Sequence, residues 1–126
     1  MSSISNNLDT IKRFLDTNIA THDIYASNIA NAETPNYKAS VPHFEAKLTQ
    51  AEKSNNLLSS TKDKQWKLGL RIEKSNAQTR EDGNNVQLEQ EVSAMAENSL
   101  MYMSALKIFS KEESIAKYAI SSGGRG

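Results

Sequence analysis

Apolar positions recur in alternating steps of four and three along the first thirty residues. Ile4, Leu8, Ile11, Leu15, Asn18, His22, Tyr25 and Ile29 form the series, polar only at Asn18 and His22. That spacing is the seam of an amphipathic helix. Ile19, Ala26 and Ala30 widen the stripe, and Ser2, Ser3 and Ser5 are N-cap candidates. The pattern predicts a helix from about Ile4 to Ala30, roughly 40 Å long. The last third repeats the alternation through Leu88, Val92, Met95, Ser99, Tyr102, Leu106, Phe109, Glu113, Ala116 and Ile120. Glu89 and Glu91 in its first turn and Lys117 near its end suit the helix dipole. The Ser121-Ser122-Gly123-Gly124-Arg125-Gly126 tail is expected to stop a second helix of roughly 50 Å.

The middle lacks this period. Residues 49–64 are rich in Ser, Asn, Thr and Lys and read as loop or disorder. Trp66, Leu68, Leu70 and Ile72 then alternate with Lys67, Gly69, Arg71 and Glu73, which predicts a short strand that the tryptophan anchors. Asp82-Gly83-Asn84-Asn85 is a turn signature leading into the second helix. The expected fold is mainly α. Two long amphipathic terminal helices pack as an antiparallel coiled-coil-like pair, with an extended, short-β and loop segment between them. The expected divisions are 1–31, 32–85 and 86–126, within one domain. A helix pair buries one stripe on each member, and Leu100, Met101 and Met103 beside Tyr102 exceed what one partner covers. The helices are therefore expected to complete their packing against other molecules. The alternative is an intramolecular hairpin with ordinary exposed residues.

Composition narrows the function. The chain has 126 residues, 37% of them hydrophobic, and a mean hydropathy of −0.62, which suits one modest domain with little core. Fifteen basic residues balance fifteen acidic ones, so no net field draws the protein to nucleic acid or an anionic membrane. Lys62, Lys64, Lys67, Arg71 and Lys74 surround Trp66 but share the segment with acids, and read as a solvated face. With no cysteine, disulfides and thiolate metal sites are excluded. No apolar run approaches the ~18 residues of a membrane span, and the first thirty residues lack a signal-peptide core. His22 lies on the helix seam and reads as a packing histidine, while His43 beside Pro42 and Phe44 has no ligand spacing to it. Asp82-Gly83-Asn84 puts glycine second where a calcium loop needs it sixth. No catalytic residue, cofactor or metal is expected.

One stretch is more particular. Ala26 to Ala39 reads ASNIANAETPNYKA. Asn28 and Asn31 carry amides suited to the carbonyls freed at a helix end. Thr34 before Pro35 is pushed to an extended conformation. Asn36 stands where a turn demands positive φ. Tyr37 is expected to lay its ring on apolar surface with its hydroxyl outward. The residues describe a rigid corner between a helix and an extended segment.

Asn28, Ile29, Ala30, Asn31, Ala32, Thr34, Pro35, Tyr37 and Lys38 resemble the Asn-Ile-Ala-Asn-Ala-x-Thr-Pro-Gly-Tyr-Lys motif of the flagellar rod and hook family, the axial proteins of the bacterial flagellum. The departure is Asn36 in place of glycine. Asp82, Gly83, Asn84, Asn85 and Val86, followed by Leu88-Glu89 and Glu91, resemble the entry to the last helix in the proximal-rod subgroup. So does the run from Ala96 to Tyr102. Gln87 departs from that pattern, which has Asp as helix cap, and Asn85 is the substitute cap expected.

The resemblance implies a structural subunit of the proximal rod, the drive shaft crossing the periplasm, with its terminal helices packed around the export channel. It implies export from the cytoplasm by the flagellar type III gate without a cleaved signal, with Phe14 as a gate-recognition candidate. Implied partners are further copies of the chain, the rod proteins FlgC, FlgF and FlgG, the membrane-ring adaptor FliE and the export gate, with no nucleic acid or small-molecule substrate. Leu8, Ile11, Leu15, Leu88, Val92, Met95, Tyr102, Leu106 and Phe109 are expected to carry helix packing and subunit contacts. A cytoplasmic helical adaptor explains the amphipathic ends but not the corner, and the Asp82–Val86 entry argues against a C-type rod subunit.

Overall fold

A computed structural model describes residues 2–50 and 64–123, with side chains described within 5–45 and 69–123. The elements run α1 (Ser2–Ala30), β1 (Ser40–Gln50), β2 (Lys64–Lys74) and α2 (Leu88–Gly123). The molecule is mainly helical, with the two long terminal helices packed on each other and a two-stranded sheet between them in sequence. The helices are antiparallel. Asn28 near the end of α1 meets Glu91 at the start of α2. Asn98 donates to the Asn18 carbonyl at 2.9 Å further along, and Ile11 shares a groove with Ala105 and Ile108 beyond that.

The seam of α2 is turned by one position from the predicted one. Met95, Tyr102 and Phe109 remain partly buried, but Asn98 and Ala105 are the residues fully buried against α1. Leu88, Val92 and Leu106 point outward, 47%, 51% and 42% exposed. The Asn28–Glu91 and Asn18–Asn98 hydrogen bonds fix the rotation of α2 about its axis, and that rotation sets small Asn98 and Ala105 in the contact. On α1, Leu15 is buried and Leu8 and Ile11 are half-buried. Thr21 is fully buried, its hydroxyl satisfied by the Thr17 carbonyl at 2.8 Å.

β1 and β2 pair antiparallel from Ser40↔Lys74 to Gln50↔Lys64. The sequence pattern shows only the second strand, because Pro42 argues against the first. In a two-stranded ribbon every strand is an edge, and an edge tolerates a residue with no N–H. Thr49, Gln50 and Lys64 belong to the strands rather than to the expected loop. The rest of that loop, and the side chain of Trp66, lie outside the described residues, as do those of Ile4, Ser2 and Ser3. One face of the ribbon carries a polar cluster, in which Arg71 Nε pairs with Glu45 at 2.8 Å and His43 Nε2 stands 3.3 Å from Glu73. The other carries Phe44 and Ile72, both about half exposed. The one compact apolar cluster among the described residues lies at the corner: Ala32, Ala39 and Val86, with Tyr37 packed against them. No described helix is long and apolar enough to cross a membrane.

Candidate functional site

The corner begins where α1 runs out of backbone partners. Asn31 Nδ2 donates to the Ser27 carbonyl at 2.8 Å, taking one of the acceptors the helix leaves open. Its Oδ1 accepts the Thr34 hydroxyl at 3.1 Å. The Tyr37 N–H then donates to the Thr34 carbonyl at 3.3 Å, closing a turn with Pro35 and Asn36 at its centre. Asn36 has φ 61°, so proline followed by a left-handed residue meets the demands of a type II turn. The Asn36 N–H donates across to the Asp82 carbonyl at 2.8 Å. Gly83 lies against this turn with φ 80°, and a Cβ there would fall 3.3 Å from the Asn36 Cα. Glycine is needed on both grounds.

Three buried carboxamides stitch this turn to the segment before α2. A carboxamide offers two donors and two acceptor lone pairs. Asn28, with no solvent exposure, uses all four: it donates to the Ser40 carbonyl (2.8 Å) and Glu91 Oε2 (3.0 Å), and accepts from Ser40 N–H (2.9 Å) and the Tyr37 hydroxyl (3.2 Å). Asn84 donates to the carbonyls of Asn31 (2.9 Å) and Thr34 (2.8 Å) and accepts from Val86 N–H at 2.7 Å. Asn85 accepts from Ala39 N–H at 2.7 Å and donates to the Ser75 carbonyl at 2.9 Å. The Arg80 guanidinium donates to the Ala32 carbonyl and the Lys38 ammonium to the Gly83 carbonyl. Lys74 Nζ stands 5.7 Å from the centre of the Tyr37 ring. Irregular backbone thus obtains from side chains the partners that a ladder or helix would supply.

Several roles differ from the sequence expectation. Asn28 does not cap its own helix but joins α1 to β1 and α2. The Tyr37 hydroxyl turns inward to Asn28 because an acceptor awaits it there. Asn85 does not cap α2. The Gln87 carbonyl takes the first helical bond from Glu91 N–H at 3.0 Å, while the Asn85 amide is occupied in the corner. Asp82 Oδ1 accepts from Asn84 N–H at 3.0 Å and holds the turn. Of the remaining motif residues, Ile29 is half-buried, while Ala30, Thr34 and Pro35 face solvent. Sequence pattern does not single out Glu91 or Arg80 for these bonds. Glu91 reads in sequence as one of two acids in a first turn, and nothing local ties it to Asn28. Burial, and then the charges of Glu91 and Glu97, push the Tyr25 hydroxyl up from its ordinary value.

The helix pair carries two further features. A groove of about 510 Å³ runs between α1 and α2, walled by Ile11 and Phe14 on one side and by Leu100, Met101, Ala105 and Ile108 on the other. A second cleft of about 350 Å³ includes Asn18, His22, Asn98 and Tyr102. Asn18 is 1% exposed, and neither its side-chain N nor its O has a hydrogen-bond partner. Among the described residues no cluster of acidic or histidine side chains is arranged to hold a metal ion.

Comparison with known proteins finds this sequence similar to one family. A family model described as flagella basal body rod protein matches residues 18–38, the second half of α1 and the turn. The flagellar basal body rod protein FlgB of Borreliella burgdorferi is 30% identical over 116 aligned positions, covering 81% of this chain and 86% of the relative. The FlgB of Borrelia hermsii is 32% identical over the same shares of both chains. That of Cereibacter sphaeroides is 33% identical over 96 positions, covering 71% and 74%.

Proposed function

This chain belongs to the FlgB family of flagellar basal body rod proteins, and from that premise we propose that it is a structural subunit of the proximal rod. It forms part of the drive shaft crossing the periplasm, and its terminal helices assemble around the export channel. Its partners in this reading are further copies of itself, FlgC, FlgF, FlgG and the adaptor FliE. It reaches them unfolded through the flagellar type III gate, with Phe14 as a candidate recognition residue. Residues 1–31 and 86–126 act as the axial helices, and 32–85 as the corner, loop and strand segment between them.

The observation that carries this reading is the contrast between the two halves of the molecule. The corner is closed, with its buried amides satisfied. The helix pair is not closed: ten of the thirteen large apolar side chains left exposed among the described residues lie on α2. A locked corner with uncovered helix surface suits a subunit whose packing is completed by neighbours. The absence of cysteine suits passage into an oxidising compartment.

Electron microscopy of basal bodies from a strain lacking this chain tests the role. Membrane rings without a rod, restored by complementation, are expected. Intact rods and normal motility would remove the reading and leave a cytoplasmic adaptor as its replacement.

A further inference from the structure

The ribbon has one edge that is shut at the corner and one that is open. The Ser75 N–H donates to the Ala39 carbonyl at 2.8 Å, continuing the ladder of β1 and β2. Along an antiparallel ladder, bonded pairs alternate with non-bonded ones. Ser40, Pro42 and Phe44 on β1, and Lys74, Ile72 and Leu70 on β2, therefore turn their backbone polar groups outward. On β1 this edge is shut at its corner end. Asn28 takes both the N–H and the carbonyl of Ser40, at 2.9 and 2.8 Å, as a residue of a neighbouring strand would. Pro42, next along the same edge, has no N–H to offer. On β2, among the described residues, nothing pairs with the outward polar groups of Ile72 or Leu70, and α2 makes no contact with either strand.

An open edge is a template for another strand. The sequence of β2 fits a second β2 run antiparallel about Leu70. In that register the residues with outward polar groups stand opposite one another, Leu70 against Leu70 and Ile72 against Leu68. Glu73 stands against Lys67 on each side of the centre, and Arg71 against Gly69. Sliding one copy by two residues sets Arg71 against Arg71 in one direction and against Lys67 in the other, and like charges directly opposite destabilise a sheet. Lysines on an edge ordinarily deter pairing. Here the charges select a register instead. Centring on Ile72 sets Arg71 against Glu73, but it pairs a shorter stretch and brings the two corners side by side.

We propose that β2 of one copy of this chain pairs antiparallel with β2 of a second copy, about a two-fold axis at Leu70, to form a four-stranded sheet. In the order β1–β2–β2–β1 both outer edges are β1, shut at the corner end by Asn28 and Pro42. The contact is isologous, one edge meeting itself, and it stops at two copies. Ile72, 55% exposed in the single chain, gains an apolar neighbour across the new interface. A ribbon of two strands is marginal in water, and further strands steady it. The dimer is a state of the free chain, in which each copy covers the strand edge that otherwise templates aggregation. It goes beyond the rod reading and does not depend on it.

Sedimentation velocity of the purified full chain over a range of concentrations tests this, with a dimer expected as the first associated species. The chain has no cysteine, so an introduced thiol reports one position. Leu70 stands opposite its own copy with Cα atoms about 5.5 Å apart, so Leu70→Cys should give a disulfide-linked dimer on mild oxidation. Phe44 pairs with Leu70 within each ribbon. Its two copies lie three strand spacings apart, about 14 Å, so Phe44→Cys should stay unlinked. Glu73→Lys sets lysine against Lys67 and should weaken dimerisation about tenfold, and adding Lys67→Glu should restore it. A native chain that stays monomeric at every concentration would overturn the inference. So would association in which Leu70→Cys and Phe44→Cys link equally, or a double charge swap that dimerises no better than Glu73→Lys alone. None of these outcomes bears on the rod reading, which basal bodies from the strain lacking the chain decide separately.

Discussion

Asn28 replaces a small sheet with one side chain. It holds β1 by both backbone polar groups of Ser40, orients the Tyr37 ring and fixes the first turn of α2 through Glu91. Asn28→Ala takes the acceptor from the partly buried Ser40 N–H and removes a charge-assisted bond, so the expected loss is about 3 kcal/mol in urea unfolding. The two left-handed residues separate cleanly. Asn36→Gly keeps the φ of 61° at no steric cost and should stay within about 0.5 kcal/mol of the native chain. Gly83→Ala meets both an unfavourable φ and the Asn36 backbone, and should lose about 2 kcal/mol or more. Asn18 runs the other way. Its amide is buried without a partner, and Asn18→Leu should raise the stability of the free subunit by about 1–2 kcal/mol. Tyr25 supplies a pH dependence. Its raised pKa means that the fold disfavours the phenolate, so this contribution is full below about pH 10 and is lost as pH rises through the folded value. Absorbance titration in native and denatured protein reads both limits. At this scale the sequence carried the turn, because proline, asparagine and glycine have intrinsic backbone preferences. It did not carry the partners of Asn28 and Asn85, which lie 63 and 46 residues away and are brought near only by the fold.

The two helices were legible because a long repeat of apolar positions admits no other regular structure. Their facing was less so. A stripe wide enough to include both Leu106 and Ala105 does not say which is central, and hydrogen bonds from Asn28 and Asn98 decide it. Leu106 is consequently 42% exposed in the single chain. Leu106→Asp should shift the unfolding of the free subunit by about 1 kcal/mol at most while, on the proposed reading of Leu106 as a subunit-contact residue, abolishing rod assembly, because a charge buried there unpaired costs several kcal/mol. Thermal unfolding of the purified variant beside electron microscopy of basal bodies reads the two effects separately. β1 was illegible because its Pro42 signals against a strand, and only pairing with β2 in a sheet of two strands makes that residue acceptable.

The whole molecule divides its stability unevenly. Its compact cluster is three small residues and a tyrosine at the corner, joined by amides, while the helices meet along a narrow seam with an unsatisfied asparagine in it. On the proposed reading, in which the subunit is threaded through an export gate and then built into a shaft, this division is useful, since the corner sets geometry and the helices are completed by neighbours. Hydrogen exchange on the free full-length chain and on the same chain in isolated basal bodies is the direct test. Slow exchange is expected in both at Ala39, Asn85 and Val86, whose N–H groups are buried in corner bonds. Fast exchange is expected along α2 beyond Ile108 in the free chain, with strong protection of the same amides in the rod. Uniform protection of both helices in the free chain, or no gain in α2 on assembly, would contradict it.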